Sequence, residues 1–117
     1  VTETADCVFC KIVAGEMTAT TVSETERTLG FRDINPQAPT HVLIIPKTHY
    51  ATAADTAAAD NGLLDELVSE AHRIAEEDGV ADAGYRLVLN TGTEAGQTVH
   101  HVHCHLIGGR PLSWPPG

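Results

Sequence analysis

Hydrophobic and polar positions along this chain change period several times, and each change marks an element. The run Cys7–Gly15, CVFCKIVAG, reads as a short helix closed at Gly15. Thr20–Glu24 and Thr28–Asp33 are β-prone and flank a polar turn at Thr25–Arg27, which predicts a hairpin. Asp33-Ile34-Asn35-Pro36-Gln37-Ala38-Pro39 reads as a rigid loop, because each proline fixes its own φ and restricts the residue before it. His41–Pro46, HVLIIP, carries a continuous apolar run, the mark of a central strand buried on both faces. Ala51–Asn61, rich in Ala and Asp, reads as a turn or a short helical lead-in. Leu63, Leu64, Leu67, Val68, Ala71, Ile74 and Ala75 recur at helical spacing and predict one long amphipathic helix, stopped near Gly79. Tyr85–Asn90 alternates as a strand, and Thr91–Val99 is a glycine-containing loop. The end, Pro111–Gly117, is too proline-rich for regular structure.

The strand period returns in His101-Val102-His103-Cys104-His105-Leu106-Ile107. Side chains i, i+2 and i+4 of a strand share a face, so the three histidines line one face and the apolar residues the other. Neighbouring imidazoles would stand about 7 Å apart and the outer two about 13 Å. That spacing suits a central nucleophile with a helper on each side better than a single metal, whose donors lie at about 2.0–2.3 Å. Imidazole is suited to nucleophilic and proton-transfer work near neutral pH. Taken together, the elements predict an α+β fold. Its antiparallel sheet has about five strands, accompanied by one long and one short helix. No repeat or linker divides residues 1–117, so one domain is expected.

Charge narrows the partners. Seven basic residues stand against sixteen acidic ones, for a formal net charge of −9. Nucleic acid and anionic membrane both require a basic footprint, which this chain lacks. An anionic substrate must therefore be attracted locally. Gly96-Gln97-Thr98, leading into the histidines, offers backbone N–H groups, an amide and a hydroxyl, and Asn90 lies within reach of the same place. Three cysteines, Cys7, Cys10 and Cys104, in a chain long enough to need no disulfides suggest a reducing, cytoplasmic setting. No apolar run approaches membrane-helix length. Cys7-x-x-Cys10 is half of a zinc signature and equally two small core residues.

At these residues the chain resembles the histidine triad proteins, defined by His-φ-His-φ-His-φ-φ with φ apolar; His101–Ile107 matches throughout. The likeness extends to Asp33-Ile34-x-Pro36-x-Ala38-Pro39-x-His41, Pro46-Lys47-x-His49 and Gly96-Gln97-Thr98-Val99. The tail Gly108-Gly109-Arg110, with Trp114-Pro115-Pro116-Gly117, is similar to the Hint branch, the histidine triad nucleotide-binding proteins. His100, where an aromatic residue is common, and Thr98, where serine is usual, depart from that pattern.

The resemblance implies a homodimer whose sheet runs on across both copies. It also implies a hydrolase of purine nucleoside phosphoramidates such as AMP-lysine. His103 would be the nucleophile on phosphorus; His105, Thr98, Gln97, Gly96 and Asn90 would surround the phosphate. His101 would orient the site. His41 would join a proton relay or simply hydrogen-bond a strand end. Asp33 would meet the ribose, and Phe9, Phe31, Ile34 and Leu43 the purine, although both phenylalanines also read as core. Trp114 would pack near the partner's site, or serve as core cover. No cofactor is required for catalysis, while Cys7, Cys10, His49 and His101 would form a structural zinc site in bacterial members that carry the cysteines. Three other readings stay open: a dinucleoside polyphosphate hydrolase, a nucleotide-binding interaction module with little turnover, and a zinc module.

Overall fold

The structure, a computed structural model, describes residues 6–117; residues 1–5 of the predicted domain lie outside it. The helices are α1 (Val8–Val13), α2 (Ala53–Ala58) and α3 (Leu63–Glu77). The strands are β1 (Thr21–Glu24), β2 (Thr28–Arg32), β3 (Thr40–Pro46), β4 (Tyr85–Val88) and β5 (Cys104–Gly108). They form one antiparallel sheet in the order β1-β2-β3-β5-β4. The α+β fold with five strands and one long helix is the predicted one.

Two predictions need correction. Ala51–Asn61, read as a turn or a short helical lead-in, contains a helix, α2, so the described residues hold three α-helices where one long and one short were expected. Thr52 caps it by accepting the Asp55 N–H at 3.1 Å, and the alanines that follow are strong helix formers. The histidine run is also not all strand: β5 begins only at Cys104. Ile44 pairs with Cys104, which would set Pro46 opposite Val102 had the ladder continued. Proline has no N–H to give. Instead the chain turns away, and the Val102 N–H donates to Tyr50 O at 2.7 Å. His101 and His103 therefore sit on an irregular approach to the strand. Similarly, β4 stops at Val88 and leaves Asn90 in the loop.

Packing explains why β3 is apolar throughout. All seven of its residues are buried. Val42 and Ile44 face α3, meeting Leu67, Ala71, Ile74 and Ala75 together with Cys104 and Leu106 from β5. Gly30 permits this close approach, since a Cβ there would stand 3.1 Å from the Ile74 Cδ1. On the opposite face Leu43 and Ile45 pack with Leu29, Phe31, Phe9 and Cys7. The cover on that face is α1, only six residues long, so part of the face stays open next to His105, which is half-buried.

The cap of α3 holds the hairpin in place. Asp78, just past its end, receives two hydrogen bonds from Arg32, at 2.5 and 3.0 Å, and one from the Thr40 hydroxyl at 2.9 Å. This ties the starting point of β3 and the end of β2 to the helix, and so fixes where Asp33 and His41 lie. The Arg32 guanidinium holds the Asp78 carboxyl below its usual range, against the opposing effect of burial.

Candidate active site

Backbone groups sort the three histidines of the motif into different states. His103 Nδ1 lies 2.8 Å from His101 O. A carbonyl only accepts, so Nδ1 carries the proton and Nε2 is a bare lone pair. His101 Nε2 lies 2.8 Å from Pro46 O, so it too is protonated there and its Nδ1 is the free acceptor. His41 is set the opposite way. Its Nδ1 accepts the Gln37 N–H at 3.0 Å, which puts its proton on Nε2, 2.9 Å from His105 Nδ1. His105 then carries its own proton on Nε2. The result is one nucleophilic nitrogen and one N–H donor on neighbouring rings whose centroids are 4.9 Å apart.

Burial keeps the three rings of the motif neutral. Burial pushes His105 down to about 4, and the neighbouring His103 and His41 push the same way while Asp33 opposes them. Burial also lowers His103, against the opposing His101 carbonyl and Asp33. His101, fully buried, is pushed to about 4, chiefly by burial and against the Pro46 carbonyl. Neutral imidazole is the nucleophilic form, so His103 Nε2 is available across the neutral range.

His101 does not act on the open face. Its Nδ1 points instead into a cluster with Cys7 Sγ at 3.4 Å, Cys10 Sγ at 3.5 Å and His49 Nδ1 at 3.1 Å. Cys10 Sγ is also 3.3 Å from His49 Nδ1, and all four donor atoms lie within 4.8 Å of one another. A tetrahedral zinc with bonds of about 2.0–2.3 Å spaces its donors about 3.3–3.8 Å apart, so two thiols and two imidazoles at these separations fit that ion. Burial, with Cys7 beside it, pushes the Cys10 thiol up to about 11 in the absence of a cation. A second group, Asp33, His41 and His105, is equally close. It does not fit a cation, because the Gln37 N–H places a proton on the His41 nitrogen that faces the other two.

The remaining predicted residues divide. Phe9, Phe31 and Leu43 form an apolar floor beside the triad, with Phe9 edge-on to Phe31 at 5.6 Å and to His103 at 5.1 Å. Ile34 is not part of that floor; it stands fully in solvent on the Asp33–Pro39 loop. Trp114 is 81% exposed, which rules out core cover within this chain. The loop before the triad is more self-contained than its sequence suggests. Gly96 N–H donates to Thr93 O at 3.0 Å and Gln97 N–H to Gly92 O at 3.1 Å. The buried Gln97 amide accepts from Gly92 N at 2.9 Å and donates to Ala51 O at 2.7 Å and Val99 O at 3.2 Å. These groups are engaged within the loop and shape it. The exposed Thr98 and the half-buried Asn90 keep their polar side chains without internal partners among the described residues.

Sequence reasoning missed the Pro46 and His101 carbonyls and the Gln37 N–H. Main-chain groups carry no residue-type signature, so only the fold reveals them.

A bare imidazole nitrogen beside a second imidazole relay, over an aromatic floor, defines a histidine triad site. The HIT-domain sequence profile matches residues 14–112, and the chain belongs to this family of hydrolases and nucleotide-binding proteins. Among its relatives is the purine nucleoside phosphoramidase of Escherichia coli K12, 44% identical over 107 residues, covering 92% of this chain and 90% of that protein. The 14 kDa zinc-binding protein of Zea mays is 46% identical over 112 residues, covering 94% and 87%. A HIT family hydrolase from Legionella pneumophila Philadelphia 1 superposes with a TM-score of 0.92 at 51% identity, covering 96% of this chain and all of that one. Cys7, Cys10 and Trp114 fall outside the matched profile.

Proposed function

We propose that this protein is a purine nucleoside phosphoramidase of the AMP–amine type, working through a nucleotidyl-His103 intermediate. The observation that carries this reading is the His103 Nδ1 bond to the His101 carbonyl, which leaves Nε2 unprotonated. The similarity to the E. coli phosphoramidase supports the substrate class.

In the first step the His41–His105 pair, having taken up a proton from solvent, gives the proton on His105 Nε2 to the leaving amine as His103 Nε2 bonds phosphorus and the P–N bond breaks, which leaves His105 neutral. The adduct keeps its Nδ1 proton, so its positive charge rests against the His101 carbonyl. In the second step water bonds phosphorus, the P–Nε2 bond breaks and a water proton returns to His105. The purine rests on Phe9, Phe31 and Leu43, with Ile34 closing over it, and Asp33 meets the ribose. Asn90 and Thr98 bind the phosphate oxygens, and Gly96 and Gln97 hold the loop that presents them.

Cys7, Cys10, His49 and His101 are the residues to hold a structural zinc. Such an ion would crosslink α1 to the nucleophile segment and take no part in the chemistry. A homodimer suits two uncovered features, the β4 edge and Trp114, with Trp114 reaching the partner's site. Three unpaired thiols suit a reducing cytoplasm.

The test is His103→Ala with a fluorogenic AMP-amide. Turnover is expected to fall by about 10⁴-fold or more while AMP still binds. Rapid quenching of the wild type should show a nucleotidyl mass on the peptide carrying His103. Wild-type-like hydrolysis by the variant overturns the assignment, and preferential cleavage of diadenosine polyphosphate overturns the substrate class.

A further inference from the structure

Asp33 and His41 face each other where the β2–β3 hairpin opens into its loop: the Asp33 N–H donates to His41 O at 3.0 Å. The Asp33 carboxylate is already engaged on both oxygens. Its Oδ1 accepts the Asn35 N–H at 2.8 Å, and Oδ2 stands 3.4 Å from His41 Nε2. The side chains are 18% and 4% exposed, so solvent screens this charge weakly.

The proton on His41 Nε2 thus has two acceptors, His105 Nδ1 and Asp33 Oδ2. At 2.9 Å, the gap between the two rings holds one proton and has no room for a second. For the pair to accept another, the His41 N–H must turn onto a different acceptor, and Asp33 Oδ2 is the one in place. His105 Nδ1 is then free to be protonated, with a carboxylate alongside the new imidazolium.

We propose that Asp33 is a positioning residue for proton transfer as well as a ribose contact, its carboxylate being the counter-charge and alternative acceptor that let the His41–His105 pair carry the proton destined for the leaving amine. This rests on the phosphoramidase reading. The charged and titratable groups facing the pair are Asp33 from the loop after β2, His103 from the approach to β5, and each ring toward the other. Asp33 is the carboxylate among them, and the one group that opposes the depression of His105 through its charge. In the first step the proton leaves His105 Nε2 for the amine nitrogen as P–N breaks and P–Nε2 of His103 forms. In the second, the attacking water's proton restores it.

The experiment compares wild type and Asp33→Asn with two substrates, an adenosine 5′-phosphoramidate and its 2′,3′-dideoxy counterpart, across a pH series. Losing an adjacent opposite charge lowers an imidazolium pKa by about one to three units. The alkaline limb of kcat is therefore expected to move to lower pH by that amount with both substrates. A rise in KM confined to the ribose substrate, with both kcat profiles unmoved, reduces Asp33 to a ribose contact and overturns the proposal. A second measurement needs no variant. In ¹⁵N-labelled wild type, adenosine should shift the His41 Nε2–H resonance and 2′,3′-dideoxyadenosine should not, because only the diol competes for the carboxylate. Identical responses to the two nucleosides overturn the proposal. Failure of wild type to hydrolyse either substrate sinks the phosphoramidase reading instead, and leaves the resonance test of the Asp33–His41 link standing.

Discussion

Replacing His105 with Gln should flatten part of the acid sensitivity of this protein. Above 6.5 the His105 ring is uncharged in both the folded and the unfolded chain. Below that, the unfolded chain takes up a proton that the folded ring refuses until about pH 4, because burial disfavours its charged form. The folded pKa is depressed, so the stability at stake is complete above 6.5 and drains away as pH falls toward the folded value. At about 1.4 kcal/mol per unit the interval amounts to about 3 kcal/mol, which solvent around the half-buried ring reduces to about 1–2 kcal/mol. Glutamine offers an oxygen to the His41 N–H and does not titrate. Urea unfolding with a chelator present, at pH 7.5, 6, 5 and 4.5, measures the difference directly. Wild type should lose about 1–2 kcal/mol more than His105→Gln across the series. Asp78 and Glu70, both held low by arginine partners, begin to lose their contribution only at the acid end of the series, and do so alike in the two proteins. Equal losses in the two proteins would refute the reasoning.

Ile74→Ala should cost about 2–5 kcal/mol, since the side chain is buried against Gly30, which has no side chain of its own to fill the void. Urea denaturation checks it, and a loss below about 1 kcal/mol would show that the helix slides inward. Zinc at a thousandfold excess over its dissociation constant should stabilise wild type by about 4 kcal/mol, raising the melting temperature by about 10–20 °C. Cys10→Ser should abolish most of that gain, and an undiminished response would place the ion elsewhere.

The pattern of residues reached the fold where periodicity was strong. The α3 repeat and the run His41–Pro46 each became the predicted element, because burial on one stripe or on two faces leaves a direct trace in composition. It left α2 open between a turn and a helical lead-in, because alanine alone carries no amphipathic stripe and the deciding group is a single Thr52 cap. Within the site, residue types located the cluster Cys7, Cys10, His49 and His101 as a family resemblance, and the fold brings all four together. Tautomers were beyond reach. They depend on the carbonyls of Pro46 and His101 and the N–H of Gln37, main-chain groups that do not mark a residue type. Gln97 was opaque for a related reason: its three partners are backbone groups of the loop itself and of Ala51, which residue type does not reveal.

Pro46 bears on how portable the histidine motif is. It closes one ladder by lacking a donor, and its oxygen grips the ring of His101. Those seven letters transplanted into an ordinary hairpin would zip up as plain β-structure. The central imidazole would then lose the oxygen that sets its proton, and the graft would look right in an alignment yet attack nothing.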